Sequence, residues 1–195
     1  AVCDALADTA RRAATGPLFL LRDPPATPPA DPARVVALRR SVNPRGPLFV
    51  YVGNLEGYQG IDLLLASFRR LRAGGTEASL AVIGGTPKQI ARFRRIAARA
   101  GLDGDVHFPG SCSLADAAAW QAAADVLVSP RLHGRNTPMK IYGYLQSGRA
   151  IVATDIVSHT QVLTPEVAHL AAPEPATFAE AMRRLAEDAG ARRRL

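Results

Sequence analysis

The chain has 195 residues, of which 48% are hydrophobic and 21% are charged. These proportions are typical of a globular protein with one sizeable core, and they exclude a disordered or fibrous chain. The formal net charge of +7 is compatible with three classes of partner, namely nucleic acid, an anionic membrane face or a phosphate-bearing ligand.

Membrane, secretion and redox signals are weak in this sequence. No apolar run approaches the ~20 residues of a membrane span. Residues 1–14 lack the charged-then-apolar order of a secretory signal, so we expect a cytoplasmic protein. Cys3 and Cys112 have no metal-ligand spacing, and we expect both to be reduced thiols in the core.

The basic residues do not by themselves indicate nucleic acid. Arginine clusters such as FRRLR (68–72) and RFRRIAARA (92–100) lie on predicted helices at spacings that fit solvated faces. Neither an aromatic platform nor zinc-finger or helix-turn-helix spacing accompanies them, so we do not expect nucleic acid as a partner.

In chain order, the first 46 residues differ in pattern from the rest. The sequence predicts a helix near residues 2–14, a short strand at 17–21 and an extended proline-rich connector at 24–32, followed by a helix from residue 32. Because these elements have no obvious place in a sheet, we interpret residues 1–46 as the end of a preceding domain plus a Pro-rich linker.

Strand and helix patterns alternate from residue 47 onward. Apolar runs without polar alternation suit strands that are buried on both faces, and strand-then-helix repetition predicts a parallel sheet with helices on both faces. We therefore predict an α/β, Rossmann-like domain over residues 47–195. The predicted strands are 47–53, 78–85, 106–110, 126–130, 150–155 and 167–173, and the predicted helices are 61–73, 87–101, 113–125, 138–148 and 175–190.

The loop GNLEGYQG, residues 53–60, follows the first predicted strand. Ligands of open parallel sheets bind outside the carboxyl ends of the strands, and glycines let backbone amides approach them closely. The spacing does not match the dinucleotide fingerprint G-x-G-x-x-G, and a plain tight turn is an alternative interpretation. Gly84, after the second strand, would allow a similar approach.

A second helix-opening loop follows the fourth predicted strand. Thr137 and Pro138 are typical of an N-cap and a first-turn residue, and Gly148 is typical of a helix stop. The sequence therefore predicts a helix over 138–147. Asn136, Tyr142 and Tyr144 add polar groups near its start, although each tyrosine could equally be a packing residue.

Cations cluster around this helix start. Residues 126–154 include Arg131, Arg135 and Lys140 but no acidic residue. Lys140 falls in the first turn, where the helix dipole disfavours a cation, and an anionic ligand would remove that conflict. The alternative is that these side chains extend into water. His159, after the fifth strand, is the one histidine on the predicted ligand side, whereas His107 and His169 fall inside strands.

The stretches YVGNLEGYQGIDLLLASF and ADVLVSPRLHGRNTPMKIYGYLQSGRAIVATDIVSHTQVL lie within residues 47–188. Together they resemble the C-terminal, nucleotide-sugar-binding domain of GT-B glycosyltransferases of family 4, also called group 1. The resemblance implies two Rossmann-like domains facing across a cleft. An N-terminal domain preceding this chain would hold the acceptor, and this chain would supply the donor-binding half.

The chain departs from the family pattern at its charged positions. Asn54 and Gln59 stand where the family has an Arg and a Lys in the first loop, and Arg135 and Gly143 stand where it has two glutamates. The changed positions indicate a branch with its own cations. An inactive nucleotide-sugar-binding domain is therefore an alternative to an enzyme.

The resemblance implies a retaining glycosyltransferase of polysaccharide biosynthesis. It would move a hexosyl unit from a nucleoside diphosphate sugar to a glycan or lipid-linked acceptor, without a metal or other cofactor. A basic protein that docks on nucleic acid or peripherally on the anionic inner face of the cell membrane is the remaining alternative, based on charge alone. We expect the catalytic residues to be Arg131 and Lys140, and the donor-binding residues to be Gly53, Asn54, Tyr58, Gln59, Gly60, Gly84, Arg135, Asn136, Thr137, Pro138, Tyr142 and Gly143.

Overall fold

The computed structural model describes residues 1–24 and 27–195. The connector predicted at residues 24–32 includes residues 25 and 26, which lie outside the described residues. No helix in the described part of the chain is long and apolar enough to cross a membrane.

All six predicted strands are present and form one parallel sheet in the order β3-β2-β1-β4-β5-β6. This confirms the α/β, Rossmann-like prediction. The order reverses between β1 and β4, so the helices that follow these two neighbouring strands, Ile61–Ala73 and Met139–Gln146, pack on opposite faces of the sheet, and ligands of open parallel sheets bind at the carboxyl edge of such a reversal. The strands are β1 Leu48–Val52, β2 Ser79–Ile83, β3 Val106–Gly110, β4 Val126–Ser129, β5 Ala150–Thr154 and β6 His169–Ala171.

The helices predicted between the strands are also present. In chain order, the α-helices of the described residues are α1 Asp4–Arg11, α2 Pro32–Val42, α3 Ile61–Ala73, α4 Pro87–Arg99, α5 Leu114–Ala123, α6 Met139–Gln146, α7 Val157–Thr160, α8 Pro175–Glu187 and α9 Ala189–Arg194. The sequence pattern did not predict α7. The single helix predicted over 175–190 is divided at Asp188, because this residue is extended and its carboxylate accepts a hydrogen bond from the Ala191 N–H to start α9.

The core lies on both faces of the sheet because alternate strand residues point in opposite directions. Phe49 and Tyr51 of β1 pack under α3, α4 and α8, whereas Leu48 and Val50 pack under α2, α5 and α6. Burial on both faces is the physical reason for the uninterrupted apolar runs of the sequence.

Helix α2 contributes to this same core. Asp31 caps it by accepting a hydrogen bond from the Ala33 N–H, and Leu38 and Val42 are buried beside Trp120 of α5. The assignment of residues 1–46 to a preceding domain stays a prediction.

The strand predicted at residues 17–21 is wrong. This apolar run has no neighbouring strand with which to form a ladder. Its backbone instead contacts the chain terminus, where the Leu21 N–H donates to the Ala1 carbonyl, and Phe19 and Leu21 remain exposed. The cysteine prediction holds only for Cys3, which is buried, because Cys112 is exposed in the loop after β3.

Candidate functional site

A cleft of about 320 Å³ lies where the loops after β1 and β4 meet. Larger cavities of about 640 and 590 Å³ lie beside the edge strands β3 and β6. We favour the smaller cleft as the ligand site because it occupies the reversal of strand order and contains two cations, the buried Arg131 and the half-buried Lys140. Its lining residues are Gly53, Asn54, Tyr58, Gln59, Arg131, Asn136, Pro138, Met139 and Lys140.

The two loops are joined by close backbone contacts. Gly60 has a φ of +74°, and a Cβ there would lie 1.9 Å from the Pro130 carbonyl oxygen, so only glycine fits this approach. The Leu132 N–H then donates to the Tyr58 carbonyl at 2.9 Å. The first loop itself contains a short 3₁₀ helix, Gly57–Gln59, which turns Tyr58 and Gln59 toward the cleft.

Lys140 reaches across the cleft from α6 to the first loop. Its Nζ donates to Gln59 Oε1 at 2.9 Å and lies 4.0 Å from the centre of the Tyr51 ring. Burial, together with the charge of Arg131, lowers the pKa of Lys140 well below its usual value. Among the described residues no carboxylate pairs with this ammonium, so an anion bound in the cleft would relieve an unfavourable charge.

Arg131 is enclosed by its own loop and is only 7% exposed. Its guanidinium donates to the His133 carbonyl at 2.9 Å and to Asn136 Oδ1 at 3.1 Å, and it lies 5.2 Å from the centre of the Tyr58 ring. A Cβ on Gly134 would overlap the guanidinium, so the loop can close around Arg131 only with glycine there. Burial lowers the pKa of Arg131, and its partners are all neutral.

The start of α6 differs from the prediction. Pro138 has extended backbone angles and is itself the N-cap, so α6 begins at Met139 and Thr137 is not the cap. The physical reason is that ψ of Pro138 is 132°, outside the helical region, which moves the start by one residue. No side chain caps α6, and Lys140 lies at its second position, beside the free first-turn amides.

The predicted site residues fall into two groups. Gly53, Asn54, Tyr58, Gln59, Arg131, Asn136, Pro138 and Lys140 line the cleft together. The other six, namely Gly60, Gly84, Arg135, Thr137, Tyr142 and Gly143, do not line it.

The residues outside the cleft have other contacts. Gly84 packs against the backbone of Gly53, and the Arg135 side chain is exposed to solvent. The hydroxyls of Thr137 and Tyr142 are buried without a hydrogen-bond partner in the described part of the chain. A Cβ on Gly143 would lie 2.6 Å from Thr27 Oγ1 and 3.0 Å from Gln121 Oε1, so this position faces the connector and α5.

Tyr51 and Met139 also contribute to the site and were not predicted to do so, whereas Tyr144 was predicted to lie near it, either as a polar group or as a packing residue. The hydroxyl of Tyr144 accepts a hydrogen bond from the Val52 N–H at 3.0 Å and donates to the Val128 carbonyl at 3.4 Å, which ties β1 to β4 beneath the cleft. The spacing of four residues between Lys140 and Tyr144 places both on the same face of α6.

His159 lies on the predicted side of the sheet but is completely buried and does not line the cleft. Its Nε2 contacts Ser129 Oγ at 2.9 Å, and its Nδ1 contacts the Thr154 carbonyl at 2.9 Å. Burial lowers the pKa of His159 to about 4. The neutral ring therefore holds the carboxyl ends of β4 and β5 together.

No group of three or more His, Cys, Asp or Glu side chains within residues 1–24 and 27–195 is arranged to hold a metal ion. The nine residues that line the cleft, all within the described ranges, include no acidic side chain. What the cleft can do chemically is bind an anion, through Arg131, Lys140 and the first-turn amides of α6.

Residues 46–188 match the family model of the group 1 glycosyl transferases. A stretch of 65 residues is 42% identical to the glycogen synthase of Alkalilimnicola ehrlichii, which corresponds to 33% of this chain and 12% of the synthase.

Two solved structures share the fold. One is sucrose-phosphate synthase from Thermosynechococcus elongatus, with a TM-score of 0.79 and 19% identity over 97% of this chain and 49% of that chain. The other is Anabaena HepE in complex with UDP, with a TM-score of 0.73 and 16% identity over 85% of this chain and 46% of that chain. The present chain therefore spans about half the length of these proteins.

Proposed function

Because the chain belongs to the group 1 glycosyl transferases, we propose that its cleft binds the nucleoside diphosphate of a nucleotide-sugar donor. One observation carries the proposal: Arg131 and Lys140 enter the cleft beside the uncapped start of α6, and their hydrogen-bond partners are neutral. Two cations and free helix-end amides match the charge and the acceptor oxygens of a diphosphate. That HepE was crystallised with UDP supports a choice of UDP as the first ligand to test.

The proposed reaction is the transfer of a hexosyl unit with retention of configuration. The bond between the anomeric carbon and the diphosphate oxygen breaks with its electron pair staying on the leaving diphosphate, the acceptor hydroxyl oxygen forms the new bond to the anomeric carbon, and the hydroxyl proton passes to the leaving diphosphate. Arg131 and Lys140 would stabilise the negative charge that develops there, and such fixed charges in a dry site contribute strongly to catalysis without a metal. Asn54 and Asn136 offer neutral donors and acceptors to the phosphate edge or the sugar hydroxyls.

In this proposal the chain is the donor-binding half of a two-domain enzyme. A glycan or lipid-linked acceptor would bind to the other half. Peripheral contact with an anionic membrane would then follow from a lipid-linked acceptor and from the net charge of +7.

Calorimetry against UDP, GDP and ADP, with and without EDTA, tests the proposal. We expect one of the three nucleotides to bind at a single site and its affinity to be unchanged by EDTA. Absence of binding to all three would overturn the donor-site proposal, and strict dependence on Mg²⁺ would overturn the metal-free mechanism.

An inactive nucleotide-sugar-binding domain is the second candidate. The observation that favours it is the cleft lining, which includes no acidic side chain among the described residues, and the presence of Arg135 and Gly143 where the family resemblance places glutamates. Release of UDP from UDP-hexoses by a protein containing both halves separates the two candidates, because an inactive domain would bind the donor without turnover.

A further inference from the structure

The loop of residues 131–136, here called the arginine loop, sets the position of the Arg131 charge. The guanidinium donates to the His133 carbonyl and to Asn136 Oδ1, both of which belong to this loop. The position of Arg131 in the cleft therefore follows the loop backbone, and whatever anchors that backbone also positions the cation.

The far end of the arginine loop is anchored at one carbonyl group. The carbonyl oxygen of Arg135 accepts a hydrogen bond from Gln161 Nε2 at 2.9 Å and a weaker one from Cys3 Sγ at 3.6 Å. Gln161 follows α7, and Cys3 precedes α1, so neither donor belongs to the loop or to the cleft lining.

The same Gln161 amide also binds the start of α1. Its Oε1 accepts a hydrogen bond from the Ala5 N–H at 2.7 Å, a first-turn amide that needs an external acceptor because Cys3 provides no side-chain cap. The Gln161 carbonyl accepts a further bond from Arg22 at 3.1 Å, and Arg22 in turn pairs with Asp4 of α1.

Side-chain packing holds helix α1 in addition to the hydrogen bond from Ala5 to Gln161, because Cys3, Ala5 and Ala7 are all buried. A single side-chain amide therefore bonds two elements at once, α1 through its oxygen and the arginine loop through its nitrogen. An amide that is fixed on both sides holds each partner at a defined distance from the other.

From these contacts we infer that Gln161 is a positioning residue for the donor cleft, because it couples the docking of α1 to the placement of Arg131 and Asn136. The expected effect on diphosphate affinity rests on the proposed function of the cleft. The coupling between α1 and the arginine loop does not depend on that function. Undocking of α1 should loosen the loop, and loosening of the loop should weaken diphosphate binding.

Two substitutions of Gln161 separate its two bonds. Gln161→Met removes both bonds, whereas Gln161→Glu keeps an acceptor for the Ala5 N–H but loses the donor to the Arg135 carbonyl. Ala7→Gln is a third variant that displaces α1 without altering Gln161, because Ala7 is only 1% exposed. Thr160→Ala is the matched control, since Thr160 is the adjacent, exposed residue of α7 and its hydroxyl bonds only within that helix.

Hydrogen exchange of the ligand-free chain and calorimetry with UDP are the two measurements. We expect faster exchange over residues 131–137 in all three test variants, and faster exchange of α1 in Gln161→Met and Ala7→Gln but not in Gln161→Glu. The Kd for UDP should rise about threefold to tenfold in each, as expected for the loss of one positioning hydrogen bond, and Thr160→Ala should match the wild type.

Unchanged exchange over residues 131–137 in Gln161→Met would overturn the coupling, whether or not UDP binds. Faster exchange with an unchanged UDP affinity would overturn the positioning role. If the wild-type chain binds no nucleotide, the proposed function fails, and the exchange measurement still decides whether Gln161 couples the two elements.

Discussion

At the scale of single residues, the charge of Lys140 is unfavourable in the ligand-free chain and is expected to be favourable when an anion is bound. It lies in the first turn of α6, where the helix dipole disfavours a cation, and burial lowers its pKa further. Its hydrogen bond to Gln59 and its contact with the Tyr51 ring compensate only in part, because both partners are neutral. The position is costly for an unliganded helix, and the diphosphate of the proposed donor would offset this cost.

We expect Lys140→Met to leave the ligand-free chain equally stable or slightly more stable. The variant keeps most of the stem and removes a charge that the dipole disfavours by about 0.3–1 kcal/mol. The Kd for UDP should rise roughly tenfold to a hundredfold, since a charge-assisted hydrogen bond contributes about 1.5–3 kcal/mol. Thermal unfolding and calorimetry measure the two effects.

Arg149→Met is the matched control, because Arg149 is exposed just beyond the other end of α6 and should affect neither quantity. A sharp fall in the melting temperature of Lys140→Met with unaltered UDP affinity would instead identify Lys140 as a structural residue.

Nucleotide binding should also be linked to proton uptake by Lys140. The pKa of Lys140 is lowered in the free chain, and a bound diphosphate would raise it. Affinity for UDP should therefore be highest below the free pKa and should fall as the pH rises from the free to the bound value. Calorimetry at several pH values above the ionisation of the terminal phosphate, each in two buffers of different ionisation enthalpy, measures the uptake. Equal proton uptake by the wild type and Lys140→Met would contradict this assignment.

His159 predicts a pH dependence of stability. Its pKa is about 4 in the folded chain, against an ordinary value of 6.5, so the unfolded chain binds a proton between these pH values that the folded chain does not. The free energy of unfolding therefore falls as the pH decreases through this window, by about 3 kcal/mol in total.

Urea unfolding of the wild type and His159→Gln at pH 7 and 4.5 measures this contribution. The variant should be less stable at pH 7, because it loses the contacts with Ser129 and Thr154. On acidification from pH 7 to 4.5, the free energy of unfolding of the variant should fall by about 2 kcal/mol less than that of the wild type. The same decrease in both proteins would show that another group controls acid stability.

At the scale of elements, the cleft depends on the two loops that leave β1 and β4. The first loop has no basic residue between Gly53 and Gly60, so its contribution to binding should come from backbone amides and from Asn54 and Gln59. The cations come from the other loop and from α6. This division explains how the site can hold an anion although the first-loop Arg and Lys of the family pattern are replaced.

Gly57→Val tests the contribution of the first-loop backbone. A Cβ at Gly57 would meet no atom within 4 Å, so the substitution should leave the fold intact. Added bulk beside the cleft should weaken UDP binding, which calorimetry measures.

Gly16→Val is the control for Gly57→Val, because Gly16 also has open space around its Cα and lies outside the cleft lining. Equal UDP affinity in the two folded variants would place the nucleotide away from the first loop.

At the scale of the whole molecule, the chain spans about half the length of the sucrose-phosphate synthase and HepE structures that share its fold. If it is the donor half, it should bind UDP but should not release UDP from UDP-hexoses in multiple turnovers. A coupled assay measures the rate at which UDP is released, and the Arg131→Gln variant provides the rate of release that does not depend on the proposed site. Turnover that Arg131→Gln abolishes would show that the chain is catalytically complete.

The sequence by itself determined the fold class and most of the cleft. Each strand is an apolar run because both faces of the sheet are covered, and the helices that cover the sheet carry their own start and stop residues, such as Asp31 before α2 and Gly148 after α6. Strand-then-helix alternation then specifies parallel pairing. Local patterns of this kind also predicted that Arg131 and Lys140 lie near the start of the same helix.

Only the tertiary structure decided which neighbours these residues acquire. The isolated apolar run at 17–21 is not a strand because no partner lies beside it, and His159 is buried because α7 places it under β4 and β5. Gly143 faces the connector and α5 instead of the cleft, because Thr27 and Gln121 pack against this side of α6. Such outcomes depend on contacts between residues far apart in the chain, such as Lys140 with Gln59 and Gln161 with Ala5, and local sequence patterns contain no information about them.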